Sequence, residues 1–205
     1  MNAELLQNMV AGFDHPALGS QTVFRVALEA LSQPGRPLDM PLQTALPRHG
    51  HAASAALLLG LLDADTPVWL SPALAQSDAA AWLRFHTGCP LVEAVCDAQF
   101  VWLALGDALP AWDQLRMGTD AYPDQSATCV VEVEQLRVDA QGWQLRGPGI
   151  HGVRALQVDG IAPDFLLHWQ NNAASFPRGV DVFLTTPHQI AGVPRTTHIT
   201  PSQGD

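Results

Sequence analysis

The run AASAALLLGLL, Ala52 to Leu62, carries no charge and only one hydroxyl. It constrains the fold more than any other stretch. Its length and its lack of β-branched residues predict a helix. A helix apolar on nearly every side must be buried on nearly every side, so other elements have to lie beneath and beside it. At this length it falls far short of the ~20 residues that a membrane span requires.

The neighbouring segments supply those elements. SQTVFRVALEALSQPG opens on a capping-type Ser20, carries Val23, Phe24, Ala27, Leu28 and Leu31 on one helical face, and stops at Pro34-Gly35. Pro67–Leu70 reads as a short strand, Ser77 caps a helix running to about His86, and Phe100–Leu105 is a strand. Pro110–Met117 is expected as a short helix closed by Gly118. Ala127–Val133 alternates and is β-branched, and Trp143–Arg146 and Arg154–Val158 read as further strands. Pro163 starts a helix through about Asn171. Val180–Thr185 is apolar enough for a buried central strand, and Ile190–Val193 and Thr196–Ile199 complete the set. Helices alternate with strands early and strands cluster late. The expectation is an α/β fold: a mixed sheet with helices on both faces. No repeat or linker interrupts residues 1–205, so one domain is expected.

Charge narrows the function. All ten basic residues are arginine and none is lysine. That removes the Schiff-base lysine needed for covalently held pyridoxal phosphate, and the lysine of a Walker-type phosphate loop. A formal net charge of −10 opposes generic nucleic-acid binding. The charged fraction of only 15% suits a surface partly buried against partners. Cys89, Cys96 and Cys129 have no metal or redox spacing and read as reduced thiols. MNAELLQNMV lacks the basic start of a secretory leader, so a cytoplasmic protein is expected.

Several short motifs fail on context. Gly147 to Gly152 matches G-x-G-x-x-G, but the following VRALQVDGIAP is too short and β-like for a dinucleotide-binding helix, so a glycine-rich turn is expected. Asp63-Ala64-Asp65-Thr66 is similar to the aspartate-nucleophile motif of haloacid-dehalogenase phosphatases, yet it follows a helix and precedes Pro67, which favours a polar turn. His49 and His51 offer two nitrogens without a further ligand, so no metal site is expected. His86 falls at a helix end, where it can serve the terminal carbonyls. FPRGVD at 176–181 and GVPRTTHI at 192–199 each set an arginine beside a proline and an apolar strand. If Arg195–Ile199 is extended, Arg195 and Thr197 face one side and Thr196 and His198 the other. Arg195 with Thr197, joined by Arg178, is then a candidate anion, nucleotide or partner contact. Pairing of Asp181 with an arginine internally would make the same set structural.

These residues also carry a resemblance. FPRGVDVFLTTP and GVPRTTHI, with DTPVWLS at 65–71, LRFHTGCPLV at 83–92, PDQSAT at 123–128 and FRVALEALSQPG at 24–35, resemble in order the PhnH family of the bacterial carbon–phosphorus lyase system. The resemblance implies a fold like the large domain of pyridoxal-phosphate-dependent transferases without the cofactor lysine. It implies a homodimer acting with PhnG, PhnI and PhnL, in the step where MgATP and an alkylphosphonate give a ribose 1-phosphonate 5-triphosphate and adenine. It further implies a core assembly with PhnJ and PhnK, in which PhnJ breaks the C–P bond. No nucleophile or acid–base pair marks this chain as the catalyst. It either scaffolds the assembly or binds substrate through Arg195, Thr197 and Arg178. A weaker alternative is an independent phosphatase using Asp63.

Overall fold

A computed structural model describes residues 12–41 and 46–201; the N-terminal stretch read for a leader lies outside them. In chain order the elements are α1 (Pro16–Ser32), β1 (Leu38–Asp39), α2 (Ala52–Leu61), β2 (Val68–Leu70), α3 (Pro72–Ala75), α4 (Asp78–Thr87) and β3 (Phe100–Leu103). They continue with β4 (Thr128–Glu132), β5 (Gln135–Arg137), β6 (Trp143–Arg146), β7 (Arg154–Asp159), α5 (Phe165–Ala174), β8 (Asp181–Thr185), β9 (Gln189–Val193) and β10 (His198–Thr200).

The mixed sheet is present. It has six strands in the order β1-β9-β8-β4-β3-β2; β2, β3, β4 and β8 are parallel, and β9 alone is reversed, pairing antiparallel with β8 on one side and β1 on the other. Alternation sorts its side chains onto two cores. Trp102, Val130, Phe183 and Ile190 face α1, α2 and α4. Val101, Leu103, Cys129, Val131, Val182, Leu184, Ala191 and Val193 face the other way. There they meet α5 through Phe165 and Trp169, and also a second, antiparallel sheet in the order β10-β6-β7-β5. The sequence placed helices on both faces. The second sheet supplies much of one cover, through Leu136, Leu145, Leu156 and Val158.

The apolar run behaves as its composition demands. Every residue from Ala53 to Leu58 is buried. In contrast, α1 starts earlier than expected, with Pro16 in its first turn and Ser20 inside it. It buries Val23, Ala27 and Ala30 and leaves Phe24 and Leu28 about half exposed. The reason is close approach to β9: a Cβ on Gly192 would lie 2.6 Å from the carbonyl carbon and oxygen of Ala30. A helix this near the sheet presents its small residues inward, and the larger ones turn aside. Residues 110–117 form only a single 3-10 turn at Trp112–Gln114 rather than a helix. No helix among the described residues is long and apolar enough to cross a membrane.

Candidate functional site

The last strand is shorter than the sequence suggested. Thr197 N–H donates to Pro194 C=O at 2.8 Å, so residues 194–197 form a β-turn and β10 begins only at His198. The alternation expected for Arg195–Ile199 is therefore corrected: Arg195 and Thr197 do not share the face of an extended strand. Proline at 194 and the bond across the turn account for the change.

Arg195 instead reaches back to the start of β8. Its Nε–H and one Nη2–H donate to the two oxygens of Asp181, at 3.2 and 2.6 Å. Nη1 donates to the carbonyls of Pro123 (2.8 Å) and Pro177 (3.3 Å), and Nη2 also donates to Ser126 Oγ. All five side-chain N–H groups are thereby used. The Arg195 backbone N–H adds a bond to Asp181 at 2.8 Å, and the side chain is only 12% exposed. This is the internal pairing that the sequence left open, and it leaves no guanidinium N–H for a ligand. Thr197 is fully buried with its hydroxyl unpartnered, while its carbonyl accepts from Trp169 Nε1 at 2.8 Å. Arg178 is half exposed and meets the exposed Asp120 at 3.3 Å. Of the three candidates, Arg178 alone has a side chain open to solvent. A shallow hollow of about 360 Å³ beside Arg195 is walled by Pro123, Pro177, Pro194 and the exposed Phe176.

The other motifs resolve individually. Asp63 accepts from Thr66 Oγ1 at 2.6 Å and Asp65 N–H at 3.0 Å, forming a polar turn. Those bonds, the hydroxyl first, hold its carboxyl below the ordinary range. It stands between α2 and β2, not at the carboxyl end of a strand where an attacking aspartate would sit. Gly147–Gly152 lies in the β6–β7 connection and leads into a strand, so the helix required by a dinucleotide site is absent there. Gly149 has φ +80, and a Cβ there would collide with the Ser32 carbonyl oxygen. His49 and His51 part company. His49 Nδ1 pairs with Asp78 at 2.7 Å, whereas His51 Nδ1 lies 3.1 Å from the Thr185 carbonyl. Burial works against ionising Asp78, but the N–H of Arg48 and the imidazole and N–H of His49 outweigh it and hold the carboxyl below its usual value. His86 packs on Trp82 and Phe85.

One polar cluster was missed. At the carboxyl end of β4, near the middle of the large sheet, Glu132 is only 4% exposed. It accepts from His51 N–H (2.5 Å), Trp102 Nε1 (2.9 Å) and Leu105 N–H (3.2 Å). Beside it, the fully buried Ser54 and Thr185 hydroxyls pair at 2.7 Å. Since a carbonyl only accepts, the His51 contact places the proton on Nδ1. A buried serine bonded to a threonine, without a base on its oxygen, is no nucleophile. The cluster ties β4, β8, β3 and the start of α2 together. Its trace in the sequence is an acid closing an otherwise apolar strand, TCVVE, in a chain short of charge. Among the described residues, no group of three or more His, Cys, Asp or Glu could hold a metal ion.

Comparison with known proteins gives a consistent answer. The family described as "Bacterial phosphonate metabolism protein (PhnH)" matches residues 11–200. A protein of Rhizobium meliloti (strain 1021), named alpha-D-ribose 1-methylphosphonate 5-triphosphate synthase subunit PhnH, is 40% identical over 187 residues, covering 91% of this chain and 93% of that protein. A Stutzerimonas stutzeri protein named putative C-P lyase subunit protein HtxG is 35% identical over 179 residues, covering 87% and 85%.

Proposed function

The chain belongs to the PhnH family of bacterial phosphonate metabolism proteins, and from that premise we propose that it is a non-catalytic subunit of the assembly that moves the ribose triphosphate of ATP onto an alkylphosphonate and releases adenine. The observation carrying this reading is the 40% identity, over nine-tenths of both chains, to a protein named as a subunit of that synthase. Its partners on this reading are a second copy of itself in the cytoplasm, PhnG, PhnI and PhnL for the synthase step, and PhnJ and PhnK in the core assembly. MgATP and the phosphonate are substrates of the assembly. This chain needs no pyridoxal phosphate of its own and no metal.

The geometry supports an assembling rather than a reacting role. Arg195 spends its donors inside the fold. The Ser54 and Thr185 hydroxyls are sealed. Phe24, Leu28 and Phe176 leave apolar surface for a partner. The parallel run β2-β3-β4-β8, flanked by antiparallel β9, suits the proposed likeness to a pyridoxal-phosphate transferase large domain stripped of its lysine. If any residue of the candidate set also contacts substrate, the half-exposed Arg178 is the one placed to do so.

The test is reconstitution. The other synthase subunits are supplied with MgATP and methylphosphonate, with and without this chain, and adenine release is followed. Release should require the chain and should survive Arg178→Ala if the role is assembly alone. Full release without the chain would overturn the reading.

A further inference from the structure

The face that α1 turns to solvent is apolar where the outer face of a surface helix is ordinarily polar. The close approach to β9 at Gly192 sets Val23, Ala27 and Ala30 inward. Phe24 and Leu28, one turn apart, are thereby held outward at 48% and 51% exposure. Leu18, 62% exposed, adds apolar surface nearer the start of the helix. Arg25 and Glu29 repeat the same four-residue step beside Phe24 and Leu28, and both are exposed.

The two charges are not equally engaged. Among the described residues no ion pair reaches Arg25. Glu29 meets Arg36 at 3.1 Å, through Oε1 alone. The order of the four residues decides what fits over them. A copy of α1 laid antiparallel on the first, about a two-fold axis at the level of Val26, sets Phe24 against Leu28 of the partner subunit and Leu28 against the partner's Phe24. The same rotation keeps each flank on its own side and reverses its direction, so Arg25 of each copy comes to Glu29 of the other. Apolar contact and charge are satisfied together, and twice. A parallel copy places the charged flanks on opposite sides and pairs neither charge. An unrelated partner needs an apolar strip with one base and one acid in the reverse order.

We propose that the exposed face of α1 is the surface on which two copies of this chain associate, as an antiparallel helix pair with Phe24 and Leu28 at its centre and Arg25–Glu29 pairs along one edge. The inference deepens the reading that the chain pairs with itself, and rests on it. The apolar residues supply the area, and the charges set direction and register.

Charge reversal and mixing test this on the full chain by sedimentation at physiological ionic strength, with melting temperature as the folding control. The unaltered chain should be dimeric at micromolar concentration. Arg25→Glu sets two pairs of like charge face to face, and so does Glu29→Arg; each should weaken the dimer by about tenfold. Glu29→Arg is the sharper of the two. It lowers the net negative charge of the chain, so it would strengthen association if overall repulsion governed it. An equal mixture of the two variants matches acids to bases again and should recover the dimer that each forms poorly alone. Phe24→Ser should weaken the dimer as well, and no mixing should restore it. Undiminished dimer in either charge variant, no recovery on mixing, or a full-strength dimer with Phe24→Ser would each overturn the assignment. Variants that keep the dimer but lose the other subunits would give the face to one of those instead. The two readings fail separately. An unaltered chain that stays monomeric removes self-pairing altogether; a dimer indifferent to these substitutions removes only α1 as its face.

Discussion

Arg195 shows how one residue type serves a site or a fold depending on what surrounds it. PRTTH reads as anion-friendly in isolation. In the folded chain its guanidinium joins the turn at 194–197, the start of β8, Ser126 and the carbonyls of two prolines. Lysine keeps the charge but has three donors and no planar fork. Arg195→Lys should therefore destabilise by about 1–3 kcal/mol, read as a melting temperature lower by roughly 2–10 °C. An unchanged melting temperature would show that the latch contributes nothing. Thr197 gives the complementary test. Its buried hydroxyl has no partner, so Thr197→Val removes an unsatisfied polar group while keeping the shape. The melting temperature should hold or rise, with phosphonate use unaffected. Loss of phosphonate use in a normally folded Thr197→Val protein would restore the threonine to a functional site. The thiols make a third case. Burial, with Asp181 adding to it, pushes Cys129 up to about 12. Such a group holds its proton more tightly folded than unfolded. Stability should therefore fall as pH climbs past the ordinary thiol value of about 8.5, by up to about 1.4 kcal/mol per pH unit. Urea midpoints from pH 8 to 10.5 measure the slope, and Cys129→Ala should flatten it. At neutral pH only the exposed Cys96 should react quickly with a thiol reagent.

Between elements, the chain uses small residues and side-chain-to-backbone bonds where strand pairing ends. Asn172 in α5 is 2% exposed and clamps Val180 just before β8, donating to its carbonyl at 2.9 Å and accepting from its N–H at 2.8 Å. Asn172→Leu strands both backbone groups in the interior and should cost about 2–5 kcal/mol. Denaturant midpoints check it, and a shift below 1 kcal/mol would mean that water or backbone movement replaces the clamp. Local pattern made much of this level legible. AASAALLLGLL and FVWL formed the elements their composition predicts, the first because it is long and free of β-branched residues, the second because it is apolar, aromatic and β-branched. Leu38–Asp39 and Gln135–Arg137 were not legible, since strands of two or three residues exist only through their partners β9 and β7. The same holds for the α1 face. Whether Phe24 or Ala30 turns inward is decided by Gly192, which lies far along the sequence.

At the scale of the whole molecule, composition and topology agree on a chain that meets others. A charged fraction of 15% and half-exposed apolar residues on α1 both describe surface to be covered. Family membership was legible because FPRGVDVFLTTP, DTPVWLS and PDQSAT occur together and in order, and the match spans residues 11–200. The Glu132 cluster was not, because Glu132, His51 and the Trp102–Leu105 stretch come from three separate segments that only the fold brings together. The central claim is that this chain is required for phosphonate use without performing the chemistry itself. The most direct measurement is growth of a strain lacking only this gene on methylphosphonate as sole phosphorus source. Growth should fail there, persist on phosphate, and return when the full chain is supplied. Growth on methylphosphonate without the chain would contradict the account.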